Sequence, residues 1–203
     1  IPVISYVPPG KKQWGENAYE QTADIVKFFS EYIGYRYPWH EFLQVAVQDF
    51  IYGGMENTGA VVLFEGSVYD EKTEPDYNAT NRVAHELAHQ WWGDVLTCRN
   101  WNEIWLNESF ATYYQCLYTE HLLGKDEFDY NIYRNGNDAI KVDSTTRKPI
   151  YTREGLTTNT YDKGSVVLNM LRYLVGDEKF RKTMNIFITK NEFKPVVTKD
   201  LSD

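Results

Sequence analysis

The stretch His85-Glu86-Leu87-Ala88-His89 decides how the rest of the chain is read. Residues four apart share one face of an α-helix, so His85 and His89 can aim two imidazoles at one point, with Glu86 beside them. Two imidazoles and a carboxylate make the open three-ligand set that holds zinc and leaves a fourth position for water. Glu108 can supply the carboxylate, with eighteen residues between it and His89. That interval is long enough for one helix to end, a loop to cross and a second helix to bring its first turn back. The plain alternative is that the five residues are only the buried face of an amphipathic helix.

Working outward, the segment before this helix, 66–77, reads as polar loop, and Asn78 to Asn81 offer helix N-caps. The metal helix is expected from about 79 to Trp92, with Gly93 ending it. Beyond it, helices are expected over Leu106–Leu123, Lys125–Lys141, Tyr161–Val175 and about 178–190. The fourth of these five shows an apolar face of Val166, Val167, Met170, Leu171 and Leu174, closed by Gly176. Between them, 143–160 is loop-like, and a loop of that length in a compact domain is usually functional. Thr198 is placed as an N-cap for one more helix, as though the chain ends inside a larger structure.

Toward the N-terminus, residues 1–7 read as a strand without signal-peptide character, 8–15 as a loop, and about 16–33 as one helix stopped by Gly34. Leu43–Phe50 alternates, with Leu43, Val45 and Val47 on one side and Gln44, Ala46 and Gln48 on the other, which is a half-buried strand. A second strand, 60–64, follows the glycine-rich turn 52–59. Strands come first and helices second, so the fold class is α+β, a small mixed sheet lobe packed on a helical lobe with the metal helix between them.

Composition narrows the function. At 203 residues, 42% hydrophobic and 16% aromatic, the chain fits one globular domain. The net charge of −8 argues against nucleic acid, and no apolar run long enough to span a membrane is present. Cys98 and Cys116 are too few for a disulfide framework and are expected to be unpaired. The sequons Asn78-Ala79-Thr80 and Asn107-Glu108-Ser109 do not decide the compartment, because the second overlaps a proposed ligand.

Zinc held by these residues would acidify water and polarise a carbonyl, which is metal-assisted hydrolysis. Glu86, one residue after His85, is too close to coordinate comfortably and is the natural general base. Spacing alone leaves the third ligand open: Asp94, Glu103 and Glu120 compete with Glu108, and His121 can be offered as a fourth.

Four separated motifs, Gly53-Gly54-Met55-Glu56-Asn57, His85 to Trp91, Trp105 to Tyr113 and Tyr161-Asp162-Lys163-Gly164, together resemble the aminopeptidase N family of zinc metallopeptidases. The resemblance runs from about residue 15 to the end. It implies a thermolysin-like zinc metallopeptidase domain over 1–203, one Zn2+ per chain, and Glu108 as third ligand beside His85 and His89. It also implies Glu86 and Tyr161 as catalytic residues, the phenol stabilising the oxyanion. Substrates would be peptides with a free N-terminus. Gly53, Gly54, Met55, Glu56 and Asn57 would bind them, Glu56 holding the α-ammonium and the Gly53–Met55 backbone pairing with the peptide as an added strand. Family members also carry a β-rich domain before this region and a helical domain after it, so flanking domains are implied partners. Three rivals stand beside this reading. One is the family's bifunctional branch, an aminopeptidase that also opens a leukotriene epoxide. Another is a non-catalytic zinc-binding relative, against which Glu86 and Tyr161 argue. The third is an endopeptidase, which would have no use for residues 53–57.

Overall fold

The computed structural model describes residues 1–70, 72–73, 77–153 and 155–202. Parts of the expected 66–77 and 143–160 loops therefore lie outside the described residues. Strand β1 (Val3–Tyr6) is followed by helices α1 (Lys12–Ala18) and α2 (Thr22–Ile33), then strands β2 (Phe42–Val47), β3 (Gly54–Met55) and β4 (Ala60–Phe64). Helix α3 (Thr80–Ala88), strand β5 (Leu96–Cys98), the long helices α4 (Trp105–Leu123) and α5 (Lys125–Thr145), a π-helical turn at Asn159–Lys163, and helices α6 (Gly164–Val175) and α7 (Asp177–Asn191) come next. Strand β6 (Lys194–Val196) and the short α8 (Thr198–Ser202) complete the order.

The main sheet runs β1-β2-β4-β3, with β1, β2 and β4 parallel and β3 antiparallel at the edge. Mixed helices and a small mixed sheet agree with the expected class. Alternation in β2 is present, but the side that faces the core is Phe42, Gln44 and Ala46, while Leu43, Val45 and Val47 are half-buried on the other. Gln44 is tolerated there because its amide nitrogen donates to the hydroxyls of Ser5 (2.7 Å) and Thr22 (3.0 Å), which offsets part of the cost of burying it, while Oε1 is left without a partner.

The single helix expected over 16–33 is two. Thr22 turns its hydroxyl back onto the Tyr19 carbonyl (2.8 Å), a local bond that competes with the helical ladder and breaks it at 19–21. Gly34 closes α2 in the left-handed conformation (φ 70°) as expected. The pair β5–β6 escaped the sequence reading, since two three-residue strands nearly a hundred positions apart leave no periodic trace. Thr198 is not a cap: its hydroxyl accepts from the Trp105 indole (2.8 Å) and donates to the Glu103 carboxylate, and Asp200 takes the cap N–H of Val197 (2.8 Å).

Helix α4 is the centre of the molecule. It is buried on most faces, with Phe110, Tyr113, Tyr114 and Tyr118 wholly enclosed, and α2, α3, α5 and α6 pack on it. Trp91 and Trp92, in the turn after α3, close the core by packing on Phe29 of α2 (5.9 Å between rings) and Phe110 of α4 (4.8 Å). These aromatic contacts lock the end of α3 against the start of α4, where Glu108 lies. Helix α6 is the exception to its sequence pattern. It packs through Gly164, Ser165 and Leu168, which leaves Val167, Met170 and Leu174 of the expected apolar face exposed. Cys98 and Cys116 are both free thiols. Among the described residues no helix is long and apolar enough to cross a membrane.

Candidate metal centre and cleft

Helix α3 ends earlier than expected, at Ala88, yet His89 keeps helical dihedrals (φ −59°, ψ −23°) and stays on the face of His85. The two Nε2 atoms are 3.2 Å apart, and each is 3.3 Å from Oε2 of Glu108 in the first turn of α4. Tetrahedral donors about 2.0 to 2.1 Å from a zinc ion are separated by about 3.3 Å, so the three atoms already stand where the corners of such a site belong. Nδ1 of His89 donates to the Trp92 carbonyl (3.0 Å), which fixes the tautomer and leaves the Nε2 lone pair facing the cluster. Gly93 makes room for that ring, since a Cβ there would stand 3.2 Å from Nδ1.

Burial and the neighbouring charges together set the protonation of the cluster. Burial opposes charge on His89, but the Glu108 carboxylate beside it prevails and pushes its pKa up to about 10. Burial likewise opposes charge on Glu108, and hydrogen bonds from His85 and His89 overcome it, holding the carboxyl well below the usual range. Glu86 is buried and its pKa is raised, first by desolvation. Glu56, Glu86 and His89 form a second, overlapping set of converging donors.

Of the acids that spacing left in competition, Glu103 holds Thr198 and Glu120 pairs with Arg172. His121 pairs with Asp24 on the surface. Burial pushes the Asp94 carboxyl up to about 7 against a hydrogen bond from Thr58, and it is not among the converging donors. Asn107 of the second sequon is buried, with Oδ1 accepting from the Cys98 N–H, which leaves it unavailable for glycosylation.

A cleft of about 630 Å³ opens over the cluster, lined among others by Gly53, Gly54, Glu56, His85, Glu86, His89, Glu108 and Tyr161. Two residues of the glycine motif lie elsewhere. Met55 is an exposed member of β3, paired with Val62, and Asn57 lends its carbonyl to the turn that reaches Ala60. β3 is the sheet edge, so its backbone is paired on one side only. Closeness requires glycine at 54, where a Cβ would run into the buried Glu86 carboxylate, whereas one on Gly53 would meet only the far end of the exposed Arg82 side chain.

Tyr161 sits on the π turn, a kind of helical irregularity common at functional sites. Its ring stacks on His85 with centroids 6.1 Å apart. Burial and the Glu108 charge raise its pKa far above the ordinary tyrosine range, so the phenol stays a donor. The rest of the motif anchors it. Ser109, next to Glu108, donates to the Thr160 carbonyl (2.6 Å), Gly164 abuts Ser109, and Lys163 pairs with Asp143 of α5. Gln90 belongs to the His85 to Trp91 motif. Fully buried, it accepts from the Gly59 N–H (2.7 Å) and donates to the Glu56 carbonyl (3.2 Å), clamping the Glu56 loop to the end of α3.

The peptidase family M1 domain matches residues 17–203. Endoplasmic reticulum aminopeptidase 2 of Bos taurus is 31% identical over 214 residues, covering 99% of this chain and 22% of that protein. Aminopeptidase M1-C of Oryza sativa subsp. japonica is 32% identical over 97% of this chain and 24% of its own length. For leucyl aminopeptidase of Saccharolobus solfataricus the figures are 30%, 98% and 27%. The chain thus spans about a quarter of the length of these relatives. With the family match covering most of the chain and the four motifs around one cleft, the chain belongs to peptidase family M1.

Proposed function

We propose that the chain is the catalytic part of a zinc-dependent aminopeptidase that hydrolyses the N-terminal peptide bond of peptides. The observation that carries this is the placement of Glu56 beside Glu86 and His89, in the cleft that the His85, His89 and Glu108 cluster also lines. A carboxylate held at that distance acts as a ruler: a charged α-ammonium paired with it leaves the first peptide bond over the cluster.

The donor set fits zinc, which when bound by His85, His89 and Glu108 supplies Lewis acidity to the scissile carbonyl. Glu86, its proton affinity raised by burial, takes the proton of the attacking water and delivers it to the leaving amine, a role worth roughly 10² to 10⁴ in rate. Tyr161 donates its hydroxyl hydrogen to the oxygen that gains negative charge. Gly53 and Gly54 admit the peptide backbone against the open side of β3. In this reading residues 1–203 form one thermolysin-like catalytic domain. Flanking β-rich and helical domains would cover the outer sheet face and the exposed Val167, Met170, Tyr173 and Leu174 of α6.

The test uses full-length protein and aminoacyl-coumarin substrates with free or acetylated amines, alongside metal analysis. Glu56→Gln should keep its zinc and lose about thirtyfold to several thousandfold in kcat/KM on free amines, the cost of stranding one partner of a desolvated pair. The acetylated substrates should be as poor as before. Equal loss on both substrate types would refute the ruler, and a metal-loaded protein that cleaves neither would refute the function.

A further inference from the structure

Side chains on one face of α3 march along the edge strand. Gln90 bonds the Glu56 carbonyl, Glu86 fills the space beside Gly54, and Arg82 fills the space beside Gly53. Spacing of i, i+4 and i+8 from Arg82 thus runs parallel to Gly53, Gly54 and Glu56 in and beside β3, and gives the cleft a direction. The end marked by Glu56 takes the α-ammonium in the function proposed above, and the level of Glu86 takes the scissile bond. Arg82 then lies on the leaving-group side. One helical turn is a rise of about 6 Å over four residues, against about 3.3 Å per residue of extended chain, so Arg82 lies within about one to two residues of the cleaved bond.

Arg82 lines the cleft, its side chain is exposed, and among the described residues it has no hydrogen-bond or ion-pair partner. The other cation lining the cleft, Arg134, is already engaged: it donates to Asn131 (3.3 Å) and its charge acts on Asp162. A guanidinium offers a planar fork of donors matched to a carboxylate.

We propose that Arg82 forms the leaving-group subsite and selects substrates with a carboxylate one or two residues beyond the cleaved bond. This rests on the aminopeptidase reading, because the direction of the cleft comes from Glu56. The carboxylate has two possible sources, the free C-terminus of a very short peptide or an acidic side chain in the second residue.

The experiment measures kcat and KM of zinc-loaded full-length protein on four peptides sharing one N-terminal residue: Leu-Ala, Leu-Ala-amide, Leu-Glu-amide and Leu-Gln-amide. Leu-Ala over Leu-Ala-amide reports the terminal carboxylate, and Leu-Glu-amide over Leu-Gln-amide reports the side chain. In the unaltered protein at least one ratio of kcat/KM should reach about fivefold, the upper end for an ion pair open to solvent, and should reside in KM. Arg82→Gln should bring that ratio to within twofold of one, and Arg82→Lys should restore part of it. Each ratio is internal to one protein, so a general loss of activity does not imitate the effect. Hydrolysis of all four peptides with ratios that Arg82→Gln leaves unchanged would overturn the subsite alone. Failure to cleave any of them would overturn the aminopeptidase reading and this inference with it.

Discussion

Gly54→Ala is a single methyl group placed against the proposed general base. The position of an added Cβ is 2.7 Å from Cγ of Glu86 and closer still to its carboxylate, whereas carbon atoms in contact rest about 3.5 to 4.0 Å apart. Glu86 must therefore retreat by about 1 Å. It is buried, with His85, His89, Glu56 and Glu108 around it, so the retreat cannot be a simple swing into solvent. A misplacement of about 1 Å in a reacting group costs on the order of 10²-fold in rate, and complete loss of a general base about 10²- to 10⁴-fold. We expect kcat to fall by about 10²- to 10³-fold, or about 3 to 4 kcal/mol at 1.4 kcal/mol per decade. Overpacking should also cost about 1 to 3 kcal/mol of stability. Zinc should remain bound, since Gly54 touches none of the three proposed ligands. Gly53→Ala is the control. It meets the far end of the Arg82 side chain, which is exposed and free to move, so kcat on a coumarin substrate should change by no more than about threefold, any obstruction of the substrate backbone showing in KM instead, and stability by about 0.5 kcal/mol or less. Steady-state kinetics, metal analysis and calorimetric melting of the two full-length variants decide the matter. A Gly54→Ala enzyme with kcat within threefold of normal would refute the placement of Glu86, and equal damage from both substitutions would refute the distinction between them.

Two further outcomes follow from the cluster. Removing zinc with a chelator should lower the melting temperature, by the equivalent of about 2.7 kcal/mol when free zinc had stood at a hundred times its dissociation constant; His89→Ala should abolish this response, and a wild-type melting curve indifferent to the chelator would contradict the site. Tyr161→Phe should reduce kcat by roughly 10²- to 10³-fold with little change in KM. Because burial and the Glu108 charge raise the Tyr161 pKa, the proton is retained above the ordinary tyrosine range. An unchanged kcat in Tyr161→Phe would contradict the role of its hydroxyl.

Local geometry made the heart of the site legible in the sequence. Two histidines four apart need only one turn of helix to converge, and the boundaries of α4 and the stop at Gly34 follow from short-range periodicity and glycine conformation. The identity of the third donor was not local. Glu103, Glu108 and Glu120 are equivalent as letters, and only the aromatic packing of Trp91 and Trp92 on α2 and α4 brings the first turn of α4 back to His89 while sending Glu103 to Thr198 and Glu120 to Arg172. The buried face of β2 was decided the same way. Hydrophobicity favours Leu43 and Val45, yet Gln44 takes the core side, where Ser5 and Thr22, remote in sequence, accept from its amide nitrogen. The sequence by itself determined the metal-binding pattern, most helices and the mixed class, because these depend on contacts within a few residues. Tertiary contacts decided the β5–β6 pair, the exposed face of α6 and the alignment of Arg82, Glu86 and Gln90 with the edge strand, because each arises where segments far apart in the chain compete for the same space and the same hydrogen bonds.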